Sequence, residues 1–141
     1  MNRYIRKVQY YETDRMGFTH HSNHIRWMEE ARIDYLAQLG WDYDRLEKEG
    51  IISPVIEIEC RYKKSTTFSD EIAIAVSVAE LGGTKFRLAY QMEDSSGNVV
   101  CEASSLHVLI GADGRIMKMK KNLPGLYETL KKEHEKTLPQ K

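Results

Sequence analysis

The feature that most constrains the fold is a change in the spacing of apolar side chains about a third of the way along the chain. Between residues 25 and 39 the pattern repeats every three or four positions, as on the core-facing stripe of a helix. This stripe consists of Ile25, Met28, Ala31, Arg32, Tyr35 and Leu39. From residue 56 the spacing becomes two, which is typical of half-buried strands. A long helix followed by consecutive strands predicts an α+β domain with an antiparallel sheet.

The boundaries of these elements follow from turn and capping residues. Strands are predicted at about residues 3–11, 56–62, 72–79, 86–92 and 99–110. Ser22 or Asn23 can cap the long helix, and Gly40 is the residue expected just beyond its end. A second, short helix is predicted over Asp42–Lys48. Small residues alternate along the third strand, at Ala73, Ala75, Ser77 and Ala79, and predict the close approach of a helix or a neighbouring subunit.

The length of the chain favours a single domain. Residues 1–141 are predicted to form one unit, with a core at about 3–120 and a helical tail at about 122–136. The tail is expected to bury Leu126, Tyr127 and Leu130 and to fray from Lys131 onward.

Composition excludes several classes of function. Lys and Arg number 21, as do Asp and Glu, so the zero net charge argues against general nucleic-acid binding. No apolar run is long enough to span a membrane, and residues 1–9 lack the apolar centre of a signal peptide. We therefore expect a cytoplasmic protein in which Cys60 and Cys101 are reduced thiols.

Most of the candidate chemistry lies in residues 10–32, with the sequence YYETDRMGFTHHSNHIRWMEEAR. Asp14 precedes the predicted start of the long helix, where several backbone N–H groups lack helical acceptors. A carboxylate beside such donors suits attack on an activated carbonyl. Taken alone, the Asp-Arg-Met-Gly run is also typical of a turn in which Asp14 accepts hydrogen bonds from its own backbone.

The pattern Y-Y-E-x-D-x-x-G-x-x-x-H-x-N, followed by E-x-A-R, resembles the 4-hydroxybenzoyl-CoA thioesterase-like branch of the hotdog-fold acyl-CoA thioesterases, which includes the Tol-Pal-associated enzymes. The resemblance implies a hotdog fold, in which a five-stranded antiparallel sheet wraps around a long central helix. It also implies hydrolysis of a short or medium acyl thioester, or an aryl thioester, of coenzyme A, with no cofactor. Hydrolysis of acyl carrier protein thioesters and a non-catalytic acyl-binding module remain alternatives.

The resemblance also assigns roles to individual residues. Asp14 matches the family's nucleophile or general base, and the backbone N–H near His21 matches the donor that polarises the carbonyl. The side chains of His21 and Tyr10 are further catalytic candidates. Apart from the resemblance, Gly17, Asn23, Lys63 and Lys64 are candidates for substrate binding. The two lysines belong to a set of basic residues that could meet the phosphates of coenzyme A, with Arg61, Lys85 and Arg87. The sequence departs from the family pattern at His20, His24 and Ser65-Thr66, which bears on the choice of acyl group.

Two other groups of residues are alternative candidate sites. His20, His21 and His24 could hold a metal, but their spacing is not that of a known motif, and a surface or pocket cluster is favoured. No metal site is therefore predicted. Glu29 or Glu30 could supply a rival catalytic carboxylate, as in another hotdog branch, although the H-G-G turn of that branch is absent. We expect Glu30 to pair with Arg26 or Arg32 instead.

The sequence also bears on whether the protein forms oligomers. One helix covers only part of a five-stranded sheet, and an open sheet edge promotes association. In the similar proteins, two subunits join their sheets edge to edge, and the active site lies between them. We therefore expect a homodimer, or a homotetramer built from two dimers.

Overall fold

A computed structural model describes residues 2–137 of the chain. The sheet contains β1 (Tyr4–Lys7), β2 (Val55–Tyr62), β3 (Glu71–Leu81), β4 (Lys85–Glu93) and β5 (Val99–Val108). The helices are α1 (Ser22–Gln38), α2 (Tyr43–Lys48), α3 (Met119–Asn122) and α4 (Pro124–Thr137), and a 3-10 turn covers Tyr10–Glu12. Within this part of the chain, no helix is both long enough and apolar enough to cross a membrane.

The five strands form one antiparallel sheet in the order β1-β3-β4-β5-β2. The predicted α+β class and the predicted hotdog arrangement are therefore confirmed. Helices α1 and α4 both pack on β3. The core that the helices and the sheet form together includes Trp27, Met28, Ile72, Ile74 and Leu130.

The long helix is rotated slightly from the predicted stripe. Trp27 and Leu36 are buried, whereas Ile25 is 41% exposed. The prediction that Ser22 or Asn23 caps this helix is wrong, because the helix already starts at Ser22. The residue before it, His21, makes no capping hydrogen bond with its side chain within residues 2–137, and the N–H of Ser22 donates to Nδ1 of His20 at 3.3 Å. The amide of Asn23 turns back instead to carbonyl groups of the preceding loop.

Two predictions about the strands need correction. The first strand ends at Lys7 rather than near residue 11, because the chain turns into the 3-10 segment at Tyr10. Of the two neighbours predicted for the small-residue side of β3, the helix is wrong: the helices pack against the branched side chains, including Ile72, Ile74 and Val78, because these bury more apolar area. The approach of a neighbouring subunit to the small-residue side stays a prediction.

The tail helix does not fray at Lys131. It continues through Thr137, and its Glu133 carboxylate accepts a buried hydrogen bond of 2.9 Å from the hydroxyl of Tyr35 in α1. The Nζ of Lys136 lies 2.6 Å from the other oxygen of Glu133. The bond from Tyr35 fixes this turn of α4 to the core, and the bond from Lys136 lies within the helix, contacts that the charged sequence alone did not indicate.

Candidate active site

A buried carboxylate that the sequence pattern did not indicate supports the elements around the site. Glu12 is only 2% exposed, yet both of its oxygens are paired. Arg6 donates to them from Nη1 at 2.8 Å and from Nη2 at 3.1 Å, and Trp27 donates from Nε1 at 2.9 Å. The backbone N–H of Gln9 donates a further bond at 2.8 Å. Glu12 therefore ties β1, the 3-10 turn and α1 together.

Arg6 extends this network to a second carboxylate. Its Nε donates to Glu30 at 2.8 Å, and the hydroxyl of Tyr4 donates to the same oxygen at 2.9 Å. The expected partners of Glu30, Arg26 and Arg32, are therefore wrong. Because Glu30 is held in the structural network, it is poorly placed to act as the rival catalytic acid.

A tight loop carries Asp14 away from this network. Thr13 and Thr19 pair across the base of the loop, and the backbone N–H of Asp14 donates to Phe18 at 2.8 Å. Gly17 turns the chain with a φ of +83°, a conformation that favours glycine, and its N–H donates to the carbonyl of Asp14 at 3.0 Å. The loop thus presents the Asp14 side chain at a fixed position.

One oxygen of Asp14 has a structural role and the other does not. Oδ1 accepts a hydrogen bond from the backbone N–H of Met16 at 2.8 Å, which is the turn contact expected from the sequence. Oδ2 makes no hydrogen bond within residues 2–137. The turn and the proposed chemistry are compatible, because one oxygen holds the side chain while the other is available.

The start of α1 is anchored by backbone contacts. The N–H of His20 donates to the carbonyl of Glu12 at 2.8 Å, and the buried amide of Asn23 donates to the same carbonyl at 2.9 Å. The carbonyl of His21 accepts from the hydroxyl of Tyr62 at 2.9 Å. By contrast, the N–H of His21 donates to no residue in the described range 2–137. A fixed and unused donor therefore lies at the mouth of the helix.

A cleft of about 280 Å³ opens beside this mouth. It is lined by Thr19, His21, His24, Tyr62, Lys63, Lys64, Ser65 and Thr66. The cleft thus brings together three of the predicted site residues, His21, Lys63 and Lys64. Tyr10, Asp14, Gly17 and Asn23 are not among the residues of its wall.

The remaining predicted site residues have distinct surroundings. Tyr10 is 77% exposed and its ring meets the edge of Phe68 at 5.8 Å between centroids. Gly17 accepts from the hydroxyl of Thr67 at 2.7 Å through its carbonyl. Asn23 is buried and holds the loop through its amide. Thus Gly17 and Asn23 shape the backbone of the site, whereas Tyr10 lies on its outer surface.

Of the two lysines, Lys64 makes an ion pair within the described part of the chain and Lys63 does not. The Nζ of Lys64 lies 3.2 Å from the carboxylate of Asp94. Hydrogen bonds from the Asn98 backbone lower the pKa of Asp94 to about 2, and Lys64 contributes to this shift. The side chain of Lys63 is exposed and makes no hydrogen bond or ion pair with residues 2–137. Lys63 is therefore the freer cation at the rim of the cleft.

The histidine cluster is divided between the surface and the interior. The rings of His20 and His21 stack with centroids 4.3 Å apart, and Nδ1 of His20 lies 2.8 Å from the hydroxyl of Ser22. His24 is only 4% exposed and lies between Trp27 and Tyr62. Over residues 2–137, no three His, Cys, Asp or Glu side chains converge as a metal site would require.

Sequence reasoning missed Glu12, Arg6, Trp27 and Tyr62 as parts of the site. The signal for Glu12 was its place in the motif, two residues before Asp14. Tyr62 stood at an apolar position of β2, and nothing in that alternation indicated that its hydroxyl reaches the carbonyl of His21.

Comparison with known proteins identifies the family. The chain matches the Thioesterase-like superfamily over residues 8–133. It belongs to this superfamily. It is 30% identical over 130 residues to the "Putative acyl-CoA thioesterase YneP" of Bacillus subtilis (strain 168), covering 89% of this chain and 94% of the relative. It is also 30% identical over 108 residues to the 1,4-dihydroxy-2-naphthoyl-CoA hydrolase of Thermosynechococcus vestitus, covering 76% of this chain and 74% of that protein.

The fold agrees with these likenesses. The crystal structure of the DHNA-CoA thioesterase from Staphylococcus aureus superposes with a TM-score of 0.87 at 29% identity, covering 93% of this chain and 89% of that one. The predicted hotdog fold and the predicted enzyme class, thioester hydrolase, are confirmed.

Proposed function

We propose that this protein hydrolyses a short or medium acyl thioester, or an aryl thioester, of coenzyme A, with Asp14 and the N–H of His21 as the reactive pair. The observation that carries the proposal is the unused N–H of His21, at the start of α1 and beside an open cleft. Asp14 supplies an unbonded carboxylate oxygen on the adjoining loop. Membership of the 4-hydroxybenzoyl-CoA thioesterase-like branch is part of the same proposal.

The N–H of His21 serves to polarise the thioester carbonyl. As a nucleophile adds to the carbonyl carbon, negative charge builds on the oxygen, and a donor fixed before the reaction stabilises that charge. The N-terminal end of a helix adds a favourable dipole to this single donor. The bond from Tyr62 to the His21 carbonyl holds the same peptide in place.

Asp14 can act in either of two ways. As a nucleophile, its carboxylate oxygen attacks the carbonyl carbon, the thiolate of coenzyme A leaves, and water then hydrolyses the resulting anhydride. As a general base, it takes a proton from a water molecule that attacks directly. Both routes yield a carboxylic acid and free coenzyme A. The side chain of His21 lines the cleft and is the candidate for carrying a proton to the leaving thiolate, whereas the predicted catalytic Tyr10 lies outside the cleft wall.

The rim of the cleft suits the coenzyme. Lys63 and Lys64 are both exposed and both lie in its wall, so they can meet the phosphates of coenzyme A. Because Lys64 is already paired with Asp94, Lys63 is the stronger candidate for this contact.

A second subunit would complete the site. Strand β2 lies at the sheet edge, and Val55, Ile56, Ile58 and Tyr62 are between 38% and 46% exposed along it. An exposed apolar edge is a template for pairing with another chain. Tyr62 of this strand also lines the cleft, so pairing of two β2 strands would add a wall to it. We therefore propose a homodimer, which can pair again into a homotetramer.

The proposal is tested with a panel of acyl-CoA and aryl-CoA thioesters and a thiol-reactive readout. We expect release of coenzyme A from at least one substrate, at a rate that exhaustive chelation leaves unchanged. Light scattering after size exclusion should give at least twice 16.4 kDa for the active species. Activity that is lost on chelation and restored by a metal would contradict the reaction scheme, and a fully active monomer would contradict the shared site.

A further inference from the structure

The buried histidine of the cluster has no role in the reaction described above. His24 lies in the first turn of α1, is 4% exposed, and forms part of the cleft wall. Within residues 2–137 neither ring nitrogen has a partner at full hydrogen-bond geometry, and Nδ1 is fully enclosed; the one backbone group that acts on the ring is His21, whose contact raises the pKa of the ring against the larger effect of burial. Buried polar groups are nearly always paired, so an unpaired imidazole inside a ligand cleft requires an explanation.

The ring is held in one position. Its centroid lies 4.8 Å from Trp27 and 4.8 Å from Tyr62, whose ring stands nearly perpendicular to it at 86°. Trp27 is in turn bonded to the buried Glu12 through its indole N–H. An imidazole fixed between two aromatic rings has little freedom to turn toward another partner in the protein.

The protonation state limits what this ring can bind. Burial lowers the pKa of His24 below that of a free histidine, so the ring is neutral at pH 7. A neutral imidazole has one N–H donor and one unprotonated nitrogen that accepts. A hydroxyl group can both donate and accept, so it can pair with either tautomer. An alkyl group would leave the imidazole unpaired, and a carboxylate would find no positive charge on it.

The position of the ring indicates which part of the substrate it meets. His24 follows the His21 donor by three residues, a rise of about 4.5 Å along a helix. A thioester carbonyl bound at His21 therefore places its substituents within reach of His24. The lysines lie at the exposed rim, where the coenzyme phosphates fit, so the buried side of the cleft is left for the acyl group.

We infer that His24 is a specificity-determining residue that hydrogen-bonds a hydroxyl group on the acyl part of the substrate. This inference rests on the proposed function, because it assumes that the carbonyl binds at His21. It selects, among the acyl and aryl groups left open above, those that carry a hydroxyl within reach of the ring.

The test measures binding, so it does not depend on hydrolysis. Phenacyl-CoA and its 2-, 3- and 4-hydroxyphenacyl counterparts carry a ketone with no thioester bond to cleave, and calorimetry gives their Kd values. For the wild type we expect the best hydroxylated probe to bind about 5-fold to 100-fold more tightly than phenacyl-CoA. His24→Phe, which keeps a ring but removes both nitrogens, should bring this ratio close to one. His24→Gln, which restores a polar group, should recover part of it.

The controls separate this inference from the proposed function. His134→Phe removes a histidine of α4 that is bonded to β3 and is absent from the cleft wall, and it should keep the wild-type ratio. A wild type without preference, equal ratios in wild type and His24→Phe, or no binding of any probe would each overturn the role of His24. If the ratio changes as expected while no thioester in the panel is hydrolysed, the proposed reaction fails and the role of His24 stands.

Discussion

Glu12 and Asp14 are two carboxylates separated by one residue, and the structure uses them in opposite ways. Glu12 is buried, and both its oxygens are bonded to Arg6, Trp27 or Gln9. Asp14 is partly exposed and uses only one oxygen, in its own turn. A group whose bonds are all made within the protein stabilises the fold, and a group with a bonding site left over is available for a ligand. The comparison predicts that changing Glu12 alters stability and that changing Asp14 alters activity.

The largest expected effect is the loss of stability on changing the buried carboxylate, Glu12. Glu12→Gln removes the charge that pairs with Arg6 and places an amide N–H against existing donors. Breaking a buried ion pair from one side costs about 3–5 kcal/mol, so we expect a loss of that order in the free energy of unfolding. Urea denaturation measures it. Glu29→Ala, at an exposed position of α1, is the control and should change stability by less than about 0.5 kcal/mol. Equal losses in both variants would contradict the role of Glu12.

The next largest effect is on the pH dependence of stability, and it involves a second buried hydrogen-bond network. His107 is fully buried, its Nε2 lies 2.7 Å from the hydroxyl of Ser105, and that hydroxyl lies 2.7 Å from the hydroxyl of Tyr90. Burial, with a further contribution from Arg32, lowers the pKa of His107 to about 3.

The lowered pKa of His107 determines whether stability rises or falls with pH. Between about pH 6 and pH 4 the unfolded chain binds a proton at His107 that the folded chain does not, so stability falls as pH falls. The slope from one such group approaches about 1.4 kcal/mol per pH unit. We expect His107→Phe to reduce the measured slope over this range by up to that amount while the pH profile of kcat/KM keeps its shape. An unchanged slope would show that His107 is protonated in the folded protein.

A smaller effect is expected on KM, and it should differ between the two lysines at the rim of the cleft. Lys63→Gln should raise the KM for an acyl-CoA severalfold, and the effect should shrink as salt increases, because the contact with phosphate is exposed. Lys64→Gln should raise KM less, since Asp94 already engages that ammonium group. Neither change should lower kcat by more than about twofold if both residues contribute only uniform binding. The reverse order of KM values would reassign the phosphate contact to Lys64.

The smallest expected effect is the stability of Asp14→Asn. The amide oxygen of asparagine can accept the same bond from Met16, so the turn is kept. We expect the free energy of unfolding to change by less than about 0.5 kcal/mol. Asp113→Asn is a matched control, because Asp113 accepts from the backbone N–H of Arg115, also two residues on, in an exposed turn. A much larger loss for Asp14→Asn would mean that Asp14, like Glu12, is part of the structural network.

The sequence predicted the fold more fully than the site, for a physical reason. Apolar spacing reports directly on which faces of helices and strands are buried, so the long helix and the five strands were recovered. The polar contacts of Glu12, Arg6 and Trp27 depend on where three separate segments meet, and no local pattern records that meeting. The partners of Glu30 were mistaken for the same reason, since its partner Arg6 lies 24 residues away on β1.

The local sequence predicted the backbone of the candidate site better than its side-chain contacts. The glycine turn at Gly17 and the helix start near His21 follow from local residues, and both lie where the motif placed them. Asn23 departed from expectation because a buried amide gains more from two carbonyl groups of the loop than from capping an exposed helix end.

The measurement that tests the central claim most directly is kcat/KM for Asp14→Asn beside Asp113→Asn, on the best thioester of the panel. Because the asparagine amide can neither attack the carbonyl nor accept a proton from water, we predict a loss of at least about 100-fold for Asp14→Asn, with unfolding behaviour like that of the wild type. Asp113→Asn should keep wild-type kcat/KM. A folded Asp14→Asn protein that hydrolyses the substrate at near wild-type efficiency would contradict the account.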